Sequence, residues 1–525
     1  MINKEIFRKV FVIILIVVMS GIIFFYQTKK VGFHEDEMYT IASSVNPDNG
    51  LMTPYGEDNT LKWISKEYAK NYITLSHDNY FNLKAVYLNQ SYDNHPPFFY
   101  TLVHFSSMLF NGEFTKYNVF IVNLIAFILS CFIIIKVLKL LDKENLTIGT
   151  LIFYGLSMGT ISMVIYQRMY MLLTFFILLY FYYSLKIYKN DFNLTKKSII
   201  QLGIITILGF LTQYFFAIYA FLIFALMIAK MIKCKKDKKI IIRYVVSHIV
   251  YAILGVLLFV PCIPHLFFSS RGLSNLGNSN YFTHLYTYIQ HLAYAFTINN
   301  NSTLLMISVL LVFFAGLIFL AKKSKEKFVV LLTIVPSIIY FFIAVKLTSF
   351  QELRYIMPVI PFVSITLFFI LGSLLEKIKY KNIIMLIIAV ILTLNGLIFS
   401  EPKFLFEEYS KCLEIAEENK DKSFVYVYDN FFNHMQSMPE FMIYEKSLII
   451  NTTKDELQYI INDDELNAED SYILCIKSYL DNDSILNEIK NNTDFKNVTE
   501  IYKAYNSSSE MLSNKLYLMS KKDVS

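Results

Sequence analysis

The chain has 525 residues, of which 55% are hydrophobic, 16% aromatic and only 17% charged, with a net charge of +6. A soluble domain carries about 25% charged residues, so this composition excludes an ordinary soluble protein and points to a polytopic membrane protein. The charge is also uneven: residues 1–400 hold 35 Lys and Arg against 18 Asp and Glu, whereas residues 401–525 hold 13 against 24. A basic apolar part and an acidic tail predict two domains in different surroundings, a membrane domain over 1–400 and an extracytoplasmic domain over 401–525. The basic excess sits in short loops between apolar spans, which argues against nucleic acid as a partner.

Lys4, Arg8 and Lys9 precede the apolar run Val10–Tyr26. That run is long enough to span and lacks a small-residue cleavage site, so it predicts a retained first helix with a cytoplasmic N-terminus. Residues 27–95 hold 6 Lys and 9 Asp and Glu and are expected outside, with a short helix over Leu61–Tyr72 around Trp63. The stretch from His95 to Phe110 is apolar but short of the ~20 residues that a crossing needs. Treated as a helix lying on the membrane surface, it leaves the following loops in accord with the positive-inside rule.

Further spans are expected at 118–136, 146–165, 170–187, 199–213, 215–232, 241–261, 304–321, 328–346, 356–375 and 382–399, eleven in all. Lysine-rich inner loops then alternate with outer ones, and the tail lies outside. From Glu401 the apolar spans stop. Phe424–Tyr428 alternates like a strand, and Tyr472–Ile476 and Leu516–Met519 read as further strands between acidic helices. The expected fold is therefore an all-α polytopic membrane domain, whose first outer loop (27–117) carries a juxtamembrane helix, followed by a small α/β domain. The five cysteines, at 131, 234, 262, 412 and 475, show no metal spacing. Cys131 and Cys262 lie in apolar runs, and Cys412 and Cys475 could pair in an oxidising compartment.

The most conspicuous polar stretch follows the first span directly: His34-Glu35-Asp36-Glu37. Ionisable residues at a membrane boundary are functional candidates, and the alternative is an acidic solvated loop. Adjacent Asp36 and Glu37 would face different ways, so one can act while the other anchors backbone. Only five arginines occur, at 8, 168, 243, 271 and 354. Arg168, Arg271 and Arg354 fall at outer span ends, against the positive-inside trend. The planar guanidinium grips phosphate or carboxylate well, and the alternative is snorkelling to lipid headgroups. His95 precedes Pro96 and Pro97, which either hold it extended or simply begin a helix. Metal binding through His34, Glu35 or Asp36 would need a second ligand cluster that the spacing does not show, which leaves a divalent cation open and no cofactor assigned.

Taken together, these segments resemble the GT-C glycosyltransferases, in particular the bacterial polyprenyl-phosphate-sugar-dependent branch that includes protein O-mannosyltransferases and aminoarabinose transferases. Asp36-Glu37-Met38-Tyr39 resembles the Asp-Glu motif of the first outer loop, and His95-Pro96-Pro97-Phe98 resembles a Lys-Pro-Pro-Leu motif. Gln167-Arg168-Met169-Tyr170 is similar to Ala-Arg-x-Tyr, Thr212-Gln213-Tyr214 to Thr-His-Tyr, and Arg354-Tyr355 with Pro358 and Pro361 to a late Arg-Tyr-x-x-Pro-x-x-Pro. The chain departs from the pattern at His95, where a cation depends on pH, and at Gln213, which carries no charge. The resemblance implies inverting transfer of a sugar from a polyprenyl phosphate to an acceptor hydroxyl at the outer face of the plasma membrane. The acceptor could be a protein, a lipid or a cell-wall glycan. It further implies Asp36 as base with Glu37 in support, and donor-phosphate contacts from Arg354, Tyr355, Arg168 and His95. Glu35, Tyr170, Gln213, Tyr214 and Arg271 would line the substrate pocket. A lipid-linked-sugar transporter, or a polysaccharide polymerase or ligase of similar architecture, is the alternative.

Overall fold

The computed structural model describes residues 4–48, 52–268, 281–296, 303–324, 326–348, 350–503 and 514–522. Among these residues nine helices are long and apolar enough to cross a membrane, and a tenth crossing is formed if one bent pair is counted as a span. The chain is a multi-pass membrane protein.

Helix α1 (Lys4–Lys29) is followed by four shorter helices: α2 (Glu35–Val45), α3 (Lys66–Tyr72), α4 (Leu83–Tyr92) and α5 (Phe98–Met108). Eleven residues make α5 about 16 Å long, half the ~30 Å hydrocarbon core, so it is too short to cross, as its sequence suggests. Helix α6 (Asn118–Leu140) is a full span. The expected span 146–165 is instead two helices, α7 (Thr147–Gly155) and α8 (Met158–Ile165), bent by 59°. Ser157 makes the break: its hydroxyl caps α8 by accepting from the Thr160 amide. Then come α9 (Tyr170–Lys189), α10 (Lys196–Thr212), α11 (Phe215–Lys233), α12 (Lys238–Leu258), α13 (Cys262–Phe267) and α14 (Tyr281–Ala295). Helices α15 (Thr303–Lys323), α16 (Lys327–Leu347), α17 (Ile360–Leu374) and α18 (Lys381–Phe399) complete the membrane part. Apart from 146–165, every expected span falls on one of these helices. The one at 199–213 coincides with α10, which has 17 residues.

The chain divides into two compact units: Met1–Tyr26, Gln90–Leu102 and Phe120–Pro402 form the first, and Gln27–Asn89, Val103–Val119 and Lys403–Ser525 the second. The sequence places the first outer loop with the membrane domain, whereas most of that loop belongs to the unit that contains the tail. The reason lies in the loop's middle. Leu61–Tyr72 is not one helix: Ile64–Ser65 forms strand β1, and only from Lys66 does the chain coil. β1 adds antiparallel to the edge of the tail's sheet, and the Trp63 indole donates to Asp463 at 3.2 Å.

That sheet has six strands in the order β1-β3-β2-β4-β6-β5, where β2 is Phe424–Tyr428, β3 Lys446–Asn451, β4 Ser471–Lys477, β5 Asn497–Lys503 and β6 Asn514–Ser520. β2 runs parallel to both β3 and β4, while β4–β6 and β5–β6 are antiparallel. The apparent alternation of β2 is a correction: all five of its residues are buried. A central strand between parallel neighbours is covered on both faces and therefore tolerates Val and Tyr at every position. One face packs Val425, Val427, Leu448, Ile450, Leu474 and Ile476 with Ile485, Ile489 and Phe495. Cys412 and Cys475 are both buried free thiols rather than a disulfide.

Candidate functional site

Each unit carries one cluster of the residues singled out by sequence. In the second unit, His34 ends the extended chain after α1 and caps α2. Its Nδ1 accepts from the Asp36 amide at 3.1 Å, and the Glu37 carboxylate returns to the His34 amide at 2.8 Å. This is a capping box with histidine in the place of the usual Ser or Thr. Three carboxylates in the first turn suit the positive end of the helix. Their surroundings differ sharply. Glu37 is fully buried and bonded at 3.0 Å to the equally buried Lys30 ammonium, which also donates to the Phe404 carbonyl. Burial pulls the Lys30 pKa below its ordinary value, and Glu37 opposes that pull. Asp36 keeps 22% of its side chain exposed, with a carboxylate oxygen 3.8 Å from the His34 ring. Glu35 accepts from the Gln436 side-chain amide at 3.2 Å. Glu37 is thus built into the scaffold, Glu35 is bonded to a side chain of the tail, and Asp36 keeps part of its surface open to solvent.

In the first unit, the chain between α8 and α9 leaves helical geometry at Tyr166–Met169. A helix end in apolar surroundings strands its carbonyls unless a donor is supplied. Asn123 of α6 supplies it, donating to the Tyr166 carbonyl at 2.9 Å and the Arg168 carbonyl at 3.2 Å. The short segment so fixed presents two functional side chains. Arg168 is almost fully buried and donates to the Tyr100 hydroxyl and to His95 Nε2, both at 3.1 Å. Arginine can only donate, so His95 Nε2 accepts, and the ring proton resides on Nδ1, 2.9 Å from Asp93. His95 therefore orients Arg168. Burial alone would raise the Asp93 pKa, but His95 and Arg168 outweigh it and hold the carboxyl at about 2.

Tyr166 binds the second arginine: Arg354 Nη1 donates to its hydroxyl at 2.5 Å. Arg354 lies at the start of the 3-10 turn Leu353–Val359, which runs into α17 through Pro358 and Pro361, residues that fit the first turns because they have no amide to leave unpaired. Its guanidinium lies 5.1 Å from the Tyr355 ring centre and 3.3 Å from Glu352. Tyr170 stacks on Tyr166 and meets Tyr355 edge-on. Tyr166, Tyr170, Arg354 and Tyr355 thus form one contiguous group of side chains, and Arg168, two positions from both Tyr166 and Tyr170 in the chain, forms a second with Tyr100, His95 and Asp93.

Of the remaining sequence candidates, Gln213 and Tyr214 border these groups, since the adjacent Phe215 meets the Tyr355 ring edge-on. Gln213 closes α10, and its side-chain carbonyl accepts from the Phe215 amide at 2.7 Å, a capping role. The Tyr214 hydroxyl is hydrogen-bonded to His265 Nδ1 at 2.9 Å, and the other nitrogen of His265 faces the Ser91 carbonyl. Arg271 lies outside the described residues. Among the described residues no three His, Cys, Asp or Glu side chains are grouped so as to hold a metal ion. Sequence reading missed Asp93, Tyr100, Tyr166 and Glu352. Each lies within a few residues of a chosen motif, so widening each motif by one turn would have found them.

No family model matches the sequence, and no curated protein matches it. In three dimensions the chain is similar to ArnT from Cupriavidus metallidurans bound to undecaprenyl phosphate, with a TM-score of 0.52 and 10% identity over 96% of this chain and 97% of that one. The apo state of the same protein gives 0.51 and 9% over the same shares. The archaeal oligosaccharyltransferase AglB from Archaeoglobus fulgidus, in complex with an inhibitory peptide and a dolichol-phosphate, gives 0.50 and 10% over 90% of this chain and 70% of that one. At such identities the likeness is one of fold, and the fold is that implied by the sequence motifs: GT-C, with a small sheet domain after the last span.

Proposed function

We propose that this chain is a membrane glycosyltransferase that moves a sugar from a polyprenyl phosphate to an acceptor hydroxyl at the extracytoplasmic face, with inversion. The observation that carries the reading is a pair of buried arginines, Arg168 and Arg354, each donating to a tyrosine hydroxyl. Buried guanidinium groups in a membrane protein are costly unless they serve. Arg168 donates to a tyrosine hydroxyl and a histidine nitrogen, which fix the direction of its guanidinium. A lipid phosphate is an anion of fitting chemistry, and two solved structures of similar fold contain undecaprenyl phosphate or a dolichol-phosphate.

In the proposed step Asp36 takes the proton of the acceptor hydroxyl as its oxygen forms a bond to the anomeric carbon. The bond from that carbon to the phosphate oxygen breaks, and the electron pair leaves with the lipid phosphate. That group needs no proton at neutral pH, so a single base suffices. Arg354 and Arg168 offset the charge that grows on the departing phosphate, and Tyr355 and Tyr170 shape the surroundings. Glu37 acts through the scaffold, and Gln213 and Tyr214 line the substrate pocket beside Tyr355. The lysine-rich loops between spans support a cytoplasmic N-terminus and a sheet domain outside.

Membranes containing the chain, supplied with a radiolabelled polyprenyl-phosphate sugar, test the proposal. Label reaching a protein, lipid or glycan, and abolished by Arg354→Ala, is the expected result. Label that changes leaflet while still on its polyprenyl phosphate would identify a transporter and overturn the enzyme reading, whereas growth of a long labelled polymer would make the acceptor a glycan chain.

A further inference from the structure

Strand β4 ends on Lys477, a lysine with no exposed surface between the buried core of the sheet and the segment Phe431–Ser437 that follows β2. A charge in such a place is expensive, and an apolar side chain would fill the position at lower cost. What the charge touches is informative. Lys477 Nζ donates to Gln436 Oε1 at 2.9 Å, and Gln436 Nε2 donates to Glu35 Oε2 at 3.2 Å. The direction of this chain is fixed by valence. Lysine has only donors, so the carboxamide must turn its oxygen toward Lys477 and its nitrogen toward Glu35, which must then accept. The amide cannot flip without facing donor against donor. The backbone at Gln436 is also held, because the Tyr409 hydroxyl, which is bonded to the buried Glu440, reaches the Gln436 main-chain carbonyl at 3.3 Å. Burial brings the Lys477 pKa down to about 8, so it remains largely charged at neutral pH.

We propose that Gln436 and Lys477 are positioning residues, which hold the Glu35 carboxylate through a two-bond chain and thereby fix the first turn of α2, where Asp36 stands. The sheet domain is then part of the means by which the acidic turn is aimed, in addition to any part it has in meeting an acceptor. The kinetic consequence rests on the reading of Asp36 as base; the structural one does not. A displacement of about 1 Å at a reacting group can lower a rate on the order of 100-fold, so even a partial loosening is measurable.

The experiment is a double-variant cycle on the full chain in detergent or liposomes, joined to hydrogen exchange. Lys477→Met and the volume-conserving Gln436→Met are each made alone and with Glu35→Ala. Expected is a fall of roughly 10-fold in transfer rate for either single variant at unchanged donor KM, and no further fall when either is added to Glu35→Ala. If Lys477 and Gln436 only stabilise the sheet, their effects multiply with that of Glu35→Ala, and the proposal is overturned. Amide exchange over residues 34–40 should quicken in Gln436→Met while the strands keep their protection; unchanged exchange there also refutes it. Should wild type transfer no sugar at all, the functional reading falls, and the exchange measurement still decides the positioning chain. Should Lys477→Met fail to fold, Gln436→Met carries both measurements.

Discussion

In the second unit Glu37 is fully buried and held by full counter-charge, a buried lysine, together with a backbone amide. In the first unit Arg168 donates to a tyrosine hydroxyl and a histidine nitrogen, and Arg354 meets a tyrosine hydroxyl, an aromatic face and a carboxylate 3.3 Å away. The first arrangement commits the charge to the scaffold, since a neutralised buried pair has little field left for a ligand. The second fixes the guanidinium groups through tyrosine hydroxyls, an imidazole and an aromatic face, with the Glu352 carboxylate beside Arg354, so that several partners of different charge set their geometry. A charged residue in a membrane protein is thus better classified by what holds it than by how deeply it is buried.

Four substitutions probe that contrast. The largest effect is expected at Asp36, a carboxylate that keeps part of its surface in solvent: Asp36→Asn should lower sugar transfer by about 100- to 10,000-fold with unchanged melting behaviour. Full transfer in that variant would remove Asp36 as base. Glu37→Gln should do the converse. It removes the counter-charge of Lys30 in buried surroundings and is expected to destabilise by about 3–5 kcal/mol, read as a fall in melting temperature, while Lys30→Met combined with Glu37→Met recovers much of the loss. If Glu37→Gln melts like wild type, the distinction between neighbouring carboxylates is wrong. Arg354→Ala is expected to reduce turnover about 100-fold and weaken donor binding; donor affinity left untouched would dismiss its phosphate role. The smallest effect belongs to Tyr166→Phe, which deletes the hydroxyl that Arg354 binds and keeps the ring. A loss of about 1.5–3 kcal/mol in donor binding energy is the expectation, measured as a rise in KM with little change in melting.

Much of this was legible in the sequence because it depends on local chemistry. Hydropathy located the spans, the scarcity of arginine drew notice to Arg168 and Arg354, and the acidic run drew notice to Asp36. What was not legible depends on partners far apart in the chain. Lys30 and Glu37 lie seven positions apart but on either side of a helix start, and Asn123 meets Tyr166 and Arg168 from more than forty positions away. The bend at Ser157 was hidden because an apolar run reads alike whether one helix or two pass through it. β3 and β5 were missed for opposite reasons. In β3 the apolar run Leu448–Ile450 is too short to stand out, and β5 is largely exposed, with polar residues that read as loop. His95 was legible as a motif position, but its role as an acceptor from Arg168 was not, because hydrogen-bond direction is a property of the pair.

Trp63 is the one tryptophan in the chain, and it sits where β1 joins the sheet, its indole bonded to Asp463 and facing the Lys446 ammonium at 4.9 Å. Selective excitation of that ring therefore gives a site-specific optical signal from a 525-residue membrane protein with no label attached. It also means that a soluble fragment cut at residue 401 would lose its edge strand along with its fluorophore, and would expose the backbone of β3 to pairing with other molecules. Material for studying the sheet domain in isolation would have to carry the Trp63 segment grafted back onto that edge.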